Sequence, residues 1–130
     1  MGGLFAPRRR RDPAPAWVAA VGQALHRALG AAVIVHGGAG GAERRAAREA
    51  HRALQRAGAP SLLLEGLDLE ALGGALGALD AYVSANTGPA HLAAACGTPV
   101  VLLEGPSTAA ARPWGGARLE VLNLGLPCSP

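Results

Sequence analysis

Apolar residues along this chain follow two alternating patterns: short continuous runs, and longer stretches in which they recur every three or four positions. The first pattern is typical of a buried strand and the second of an amphipathic helix. The runs predict six strands, at residues 2–6, 31–36, 61–64, 80–84, 99–103 and 119–124. The periodic stretches predict four helices, at residues 15–29, 42–57, 68–79 and 89–96. Strands and helices alternating at this spacing form parallel βαβ units. We therefore expect one doubly wound α/β domain, a single parallel sheet with helices on both faces.

Local signals at the predicted helix ends agree with these bounds. Pro15 suits a first helical turn, where its missing N–H has no consequence. Asp68 is placed to cap the third helix with its carboxylate. Gly30 follows the first helix, and Gly58 with Pro60 follows the second, as residue types that end helices. The hydrophobic pattern and the conformational preferences of these residues thus predict the same elements.

Length and composition indicate one domain with a core of small side chains. The chain has 130 residues, half of them hydrophobic, and this length suits a single domain with a core of its own. Thirty residues are Ala and nineteen are Gly, whereas four are aromatic. The core must therefore be built from Leu, Val and Ala, with close approach of the backbones.

Charge and cysteine content exclude two classes of function. The net charge is +3, and the run Arg8–Arg11 supplies four positive charges, so the rest of the chain is slightly acidic. We therefore expect no nucleic-acid partner, which would need basic residues across a whole face. Cys96 and Cys128 lack the spacing of a metal site or a redox pair, and we expect neither a metal nor another cofactor. Cys96 lies on an apolar helical stretch and is expected to be a small core residue.

The apolar runs are too short to predict a transmembrane segment. A span needs roughly 20 apolar residues, and the clean runs, such as residues 100–103, are far shorter. The stretch at residues 14–25 follows a basic run, as in a signal peptide, but Pro15 and Gln23 interrupt it and His26 follows it. We interpret it as a helix of the fold. We expect a cytoplasmic protein, with peripheral contact at the inner membrane face as a further option.

The first turn that could bind a ligand follows the first predicted strand. Ligands of doubly wound sheets bind at the carboxyl ends of the strands, where such turns lie. Arg10 and Arg11 lie in this turn, and guanidinium groups suit phosphate oxygens. A phosphate clamp is one interpretation. A solvated charge run near a chain end is the other.

The second turn is rich in glycine and ends in an acidic residue. Residues 36–43 read HGGAGGAE between a strand and a helix, although the spacing is not that of a dinucleotide fingerprint. The glycines would let a ligand approach the backbone, and Glu43 could accept hydrogen bonds from ribose hydroxyls. Alternatively, Glu43 complements the helix dipole and the glycines make a flexible loop.

The third turn contains the largest number of groups that could bind a ligand. Residues 84–91 read SANTGPAH at the start of the fourth helix. Asn86 or Thr87 can cap that helix, Gly88 leaves the backbone N–H groups accessible, and His91 lies in the first helical turn. These groups form an anion site of the kind that binds phosphates. A capped helix with a surface histidine is the alternative. No nucleophile with a base beside it accompanies the cluster, so it predicts binding and leaves the catalytic residues unknown.

The stretch from the fourth strand to the fifth also resembles a known family. Residues 80–106 resemble the signature of glycosyltransferase family 9, which includes the ADP-heptose:lipopolysaccharide heptosyltransferases. The family pattern is an Asp- or Asn-Thr-Gly, two residues, His-Leu-Ala-Ala-Ala, and then Gly-x-Pro before a strand. Residues 86–95 (NTGPAHLAAA) and 97–99 (GTP) match it. Residues 10–17 and 37–43 resemble the family's basic segment and its glycine-rich turn more weakly.

The resemblance implies a GT-B fold, in which two Rossmann-like domains enclose the active site. Residues 1–130 resemble only the C-terminal domain, which binds the nucleotide-sugar donor. The N-terminal acceptor domain is then either missing or a separate chain. The implied reaction is inverting, metal-independent transfer of a heptose or related sugar from an ADP-heptose-like donor to lipopolysaccharide core or a related glycan. The base would lie on the acceptor domain, so we expect this chain alone to bind donor weakly and to transfer no sugar.

The resemblance also assigns binding roles residue by residue. Facing the donor's diphosphate would be four residues of the third turn, Asn86, Thr87, Gly88 and His91. Glu43 would face the ribose, and Arg10 or Arg11 a phosphate.

The chain differs from the family pattern at several positions, which bear on the identity of the donor more than on the fold. Asn86 stands where the motif also allows Asp, Asp12 where Trp is common, and Glu104 where an aromatic residue precedes Gly105.

Other functions stay open at this point. The chain could be a remnant or divergent nucleotide-binding module that does not catalyse, or one half of a split glycosyltransferase. A sugar-nucleotide epimerase-like domain has the same architecture, but its catalytic carboxylates are not recognisable in the sequence.

Overall fold

The computed structural model describes residues 13–105, 109–123 and 125. Four helices alternate with five strands: α1 (Pro15–Leu29), β1 (Val33–His36), α2 (Gly41–Arg56), β2 (Ser61–Leu64), α3 (Leu69–Gly77), β3 (Tyr82–Ala85), α4 (Gly88–Ala95), β4 (Val100–Glu104) and β5 (Leu119–Asn123). A 3₁₀ turn, Ala109–Ala111, precedes β5. The strand predicted at residues 2–6 lies outside the described residues, as do Arg10 and Arg11.

All strand pairings in the described chain are parallel, as the βαβ pattern requires. The chain forms two compact units, residues 1–67 and 68–130. In the first unit β1 pairs with β2, and in the second the strand order is β3-β4-β5. Helices pack on these parallel strands, so the predicted α/β fold class is confirmed. No helix of the described residues is long and apolar enough to cross a membrane.

The first unit is held together by close packing of α1 on α2. Gly22 of α1 is buried, and a Cβ there would overlap Leu54 and come within 3.1 Å of Val33 Cγ2. Leu54 is itself fully buried, together with three alanines on the same face of α2: Ala47, Ala50 and Ala53. Gly30 ends α1 with a left-handed backbone (φ 68°), as its position predicts. Small residues therefore bring the two helices together, which the composition led us to expect.

The second unit has a continuous core around β4. Leu102 and Val100 lie in its centre, where they contact Leu76 of α3 and the buried alanines of α4. The buried hydroxyl of Thr98 donates to the Leu76 carbonyl oxygen at 2.7 Å and joins the segment before β4 to α3. Cys96 is exposed at the C-cap of α4, so the expectation that it is a core residue is wrong.

Helix α3 begins with the cap that the sequence predicts. Asp68 Oδ1 accepts the backbone N–H of Ala71 at 2.8 Å. The Asp68→Ala change should lower the free energy of unfolding by about 1 kcal/mol, because the first turn loses its acceptor. Urea unfolding measures this loss. Asp80→Ala is the matched control, since Asp80 is exposed and lies outside the helices. If both variants lower the free energy of unfolding equally, Asp68 does not act as a cap.

Candidate functional site

The loop between β3 and α4 presents side-chain hydroxyls at a helix start. Thr87 occupies the N-cap position of α4 with an extended backbone, but its side chain makes no capping hydrogen bond. Its hydroxyl instead lies 3.1 Å from the Ser84 hydroxyl. The prediction that Asn86 or Thr87 caps α4 with its side chain is therefore wrong, because both side chains bond elsewhere. Ser84 also hydrogen-bonds the Tyr82 side chain, so three hydroxyls form a chain that ends at the exposed Thr87. With Tyr82 donating to Ser84 and Ser84 to Thr87, the Thr87 hydroxyl can donate to a ligand.

The backbone at this helix start supplies one further donor. The N–H groups of Ala90 and His91 return to the Thr87 carbonyl oxygen at 3.1 and 3.3 Å. Pro89 has no N–H, so the Gly88 N–H is the donor at the first helical position, where an α-helix supplies no acceptor. A helix start with this composition favours an anion, because the backbone dipoles place positive potential there.

Asn86 connects this loop to His91 and to the turn before β5. Its Nδ2 donates to the Ala111 carbonyl oxygen at 2.9 Å, and its Oδ1 lies 3.1 Å from His91 Nε2. A carbonyl oxygen can only accept, so the amide nitrogen must face Ala111 and the amide oxygen must face His91. His91 Nε2 therefore carries a proton, and the Nδ1 side of the exposed ring is left for a ligand.

A buried ion pair lies beside this network. Glu104 ends β4 with its side chain 2% exposed, and Arg112 Nε and Nη2 donate to its two oxygens at 2.6 and 2.7 Å. Asn123 Nδ2 donates to Glu104 Oε2 at 3.0 Å. Hydrogen bonds from Arg112 and then from Asn123 hold the pKa of the Glu104 carboxyl at about 2, against the opposing effect of burial.

Sequence reasoning missed the ion pair. It noted Glu104 only as a departure from the family pattern and gave Arg112 no role. One signal was present, because Glu104 follows Val100 and Leu102 at the two-residue period of the buried face of β4. A carboxylate in that register needs a charged partner.

The glycine-rich loop belongs to the first unit. Glu43 is the third residue of α2, and its carboxylate folds back over Gly38. A Cβ at Gly38 would overlap this carboxylate, and a Cβ at Gly40 would lie 3.6 Å from it. This is the position of the acidic residue in a capping box. At the start of the loop, burial lowers the pKa of His36. Contact between Glu43 and a ribose remains a prediction.

The described site is therefore the β3–α4 loop with its neighbours. The structure brings together Asn86, Thr87, Gly88 and His91, and adds Ser84 to them. Among the described residues no group of three or more His, Cys, Asp or Glu side chains could hold a metal ion.

Comparison with known proteins links this chain to one family. The model of glycosyltransferase family 9 (heptosyltransferase) matches residues 7–130. A search of curated proteins finds no match. A solved structure of 2,5-dihydroxypyridine dioxygenase from Pseudomonas putida KT2440 aligns with 73% of this chain and 36% of its own length, at 17% identity and a TM-score of 0.34. That likeness is too weak to support any conclusion.

Proposed function

The chain belongs to glycosyltransferase family 9, and we propose that its second unit binds the diphosphate of a nucleotide-sugar donor at the start of α4. The observation that carries this proposal is the convergence of a hydroxyl pair, a helix-start N–H and an imidazole where β3 leads into α4. All three kinds of group recognise phosphate oxygens, and the loop follows a parallel strand at its carboxyl end, where α/β sheets bind ligands.

The proposed binding mode uses each group for a different oxygen. The Gly88 N–H and the helix dipole would meet one phosphate. The Thr87 hydroxyl, at the exposed end of the Tyr82–Ser84–Thr87 chain, would donate to a neighbouring oxygen. The His91 ring, turned by Asn86 so that Nδ1 faces outward, would contact the diphosphate with its Nδ1 side. Asn86 acts here by orienting that ring.

The remaining assignments follow from family membership and are part of the proposal. We take the donor to be a nucleoside diphosphate sugar of the ADP-heptose kind and the acceptor to be lipopolysaccharide core or a related glycan. Glu43 would bind the ribose, and Arg10 or Arg11 a phosphate. Transfer would be inverting, with the acceptor hydroxyl activated by a carboxylate on an N-terminal acceptor domain.

Calorimetric titration of the chain with ADP, UDP and GDP, and with their sugar conjugates, tests the proposal. We expect saturable binding of one diphosphate. Thr87→Ala and His91→Ala should each weaken it about tenfold or more, because a hydrogen bond to a charged group contributes about 1.5–3 kcal/mol. Thr87→Ser keeps the hydroxyl and should retain most of the affinity.

His26→Ala is the matched control for the imidazole. His26 lies in α1 of the first unit and its Nδ1 is 3.1 Å from the Ala31 carbonyl oxygen. This variant should bind as the native chain does. Undiminished affinity in both Thr87→Ala and His91→Ala, with their folding intact, would refute the proposed site. If transfer is tested with an acceptor domain supplied, binding without turnover would favour the non-catalytic module.

A further inference from the structure

Two neighbouring residues of the turn before β5 make contacts in opposite directions. The Ala111 carbonyl oxygen accepts from Asn86 in the β3–α4 loop, and the next residue, Arg112, donates to Glu104 at the end of β4. The Arg112 N–H closes the 3₁₀ turn on the Ala109 carbonyl oxygen at 3.2 Å. One short, hydrogen-bonded turn therefore joins the candidate anion site to the buried ion pair.

The ion pair anchors this turn to the sheet. Glu104 and Asn123 are register partners at the carboxyl ends of β4 and β5, and Asn123 donates to the same carboxylate that Arg112 holds. The carboxylate thus receives three hydrogen bonds from two separate segments. Because its side chain is almost completely buried, release of Arg112 would leave an uncompensated charge there. Arg112, and the Ala111 carbonyl beside it, are therefore fixed in place.

We infer that Glu104 is a positioning residue for the β3–α4 loop. Glu104 holds Arg112, and Arg112 keeps the neighbouring Ala111 carbonyl oxygen in place to accept from Asn86 Nδ2. That hydrogen bond fixes the Asn86 amide so that its Oδ1 faces His91 Nε2. The inference rests on the proposed function for what the loop binds. The network itself is independent of any ligand.

Asn86 and Glu104 are parts of one arrangement. The turn at Ala111 and Arg112 connects them, since Asn86 donates to the Ala111 carbonyl oxygen and Arg112 donates to Glu104. A carboxylate at position 86 would have no N–H for the Ala111 carbonyl, so two acceptor oxygens would face each other. In this chain the negative charge lies instead at Glu104, paired with Arg112, and position 86 keeps a donor.

The test combines a spectroscopic readout with a binding readout. In Glu104→Gln, NMR should show the Asn86 side-chain amide and the His91 ring signals shifted from their native positions. Affinity for inorganic pyrophosphate, the probe for a diphosphate site, should fall about tenfold, which is about what one hydrogen bond to a charged group contributes. Arg112→Lys keeps the charge but loses the bidentate geometry, and should shift the same signals.

The control is another Arg–Glu pair of the same sheet. Arg118, just before β5, and Glu120 of β5 form an exposed ion pair at 2.7 Å. Glu120→Gln should change neither the Asn86 and His91 signals nor the affinity. Native Asn86 and His91 signals in Glu104→Gln would overturn the inference. If that variant fails to fold, native signals in Arg112→Lys would do the same. If the native chain fails to bind pyrophosphate, that result counts against the proposed function only. The positioning role is decided separately, because the Asn86 and His91 signals are measured without ligand.

Discussion

Replacing Leu102 with alanine should lower the free energy of unfolding by about 2–5 kcal/mol, the range for a fully buried leucine. Leu102 is 0% exposed in the middle of β4. The neighbours that would have to fill the cavity include three buried alanines of α4, Ala90, Ala93 and Ala94. Alanine has no side-chain torsion that could move a methyl group into the space, so we expect little relaxation. Domains of this size have about 5–15 kcal/mol of stability in total, so the loss should be easily measured by urea unfolding.

Leu122→Ala is the control for this change. Leu122 lies on β5 of the same sheet with 57% of its surface exposed, and its truncation leaves no buried cavity. We expect its unfolding midpoint to stay close to the native one. If Leu102→Ala lowers the free energy of unfolding no more than Leu122→Ala does, the β4 core is less closely packed than the structure shows.

The fold was predictable where a single residue carries a local signal. Gly30 ends α1 in the left-handed region and Asp68 caps α3, as each residue type favours. The strand at residues 61–64 has its predicted bounds. The strand predicted at residues 80–84 is instead Tyr82–Ala85, because the Tyr82 N–H pairs with the Pro99 carbonyl oxygen and sheet pairing decides where β3 begins. Such pairing depends on a distant segment, which a local pattern does not contain.

For the candidate site too, the sequence predicted local features but not the distant contacts. Asn86, Thr87 and His91 were predictable as a group because they lie close together in the sequence, where β3 leads into α4. Their individual partners were not, since the Asn86 amide bonds the Ala111 carbonyl, 25 residues away in the chain. The pairing of Glu104 with Arg112 likewise needs the strand and the following turn to be placed in three dimensions. The sequence thus indicated which residues could bind an anion, whereas the structure shows what orients them.

Stability in acid should depend on Glu104 more than on the exposed carboxylates. Its pKa is about 2 in the folded chain and 4.5 in the absence of partners, because Arg112 and Asn123 hydrogen-bond the charged form. A group with a depressed folded-state pKa stabilises the fold fully above its unfolded-state value and loses that contribution as the pH falls towards the folded-state value. The native chain should therefore lose stability between about pH 4.5 and pH 2, followed as the urea midpoint at each pH.

The Glu104→Gln variant isolates the contribution of this carboxyl to the pH dependence of stability. At neutral pH the variant should be less stable than the native chain, because Arg112 loses its counter-charge. As the pH falls from 4.5 to 2 the difference between the two should shrink, since the native chain protonates the carboxyl that the variant lacks. Glu120→Gln removes a carboxyl from an exposed ion pair and should follow the native curve in parallel. If the Glu104→Gln curve also runs parallel to the native one, the buried pair contributes nothing specific to acid stability. The anchoring of the Ala111 turn would then need another cause.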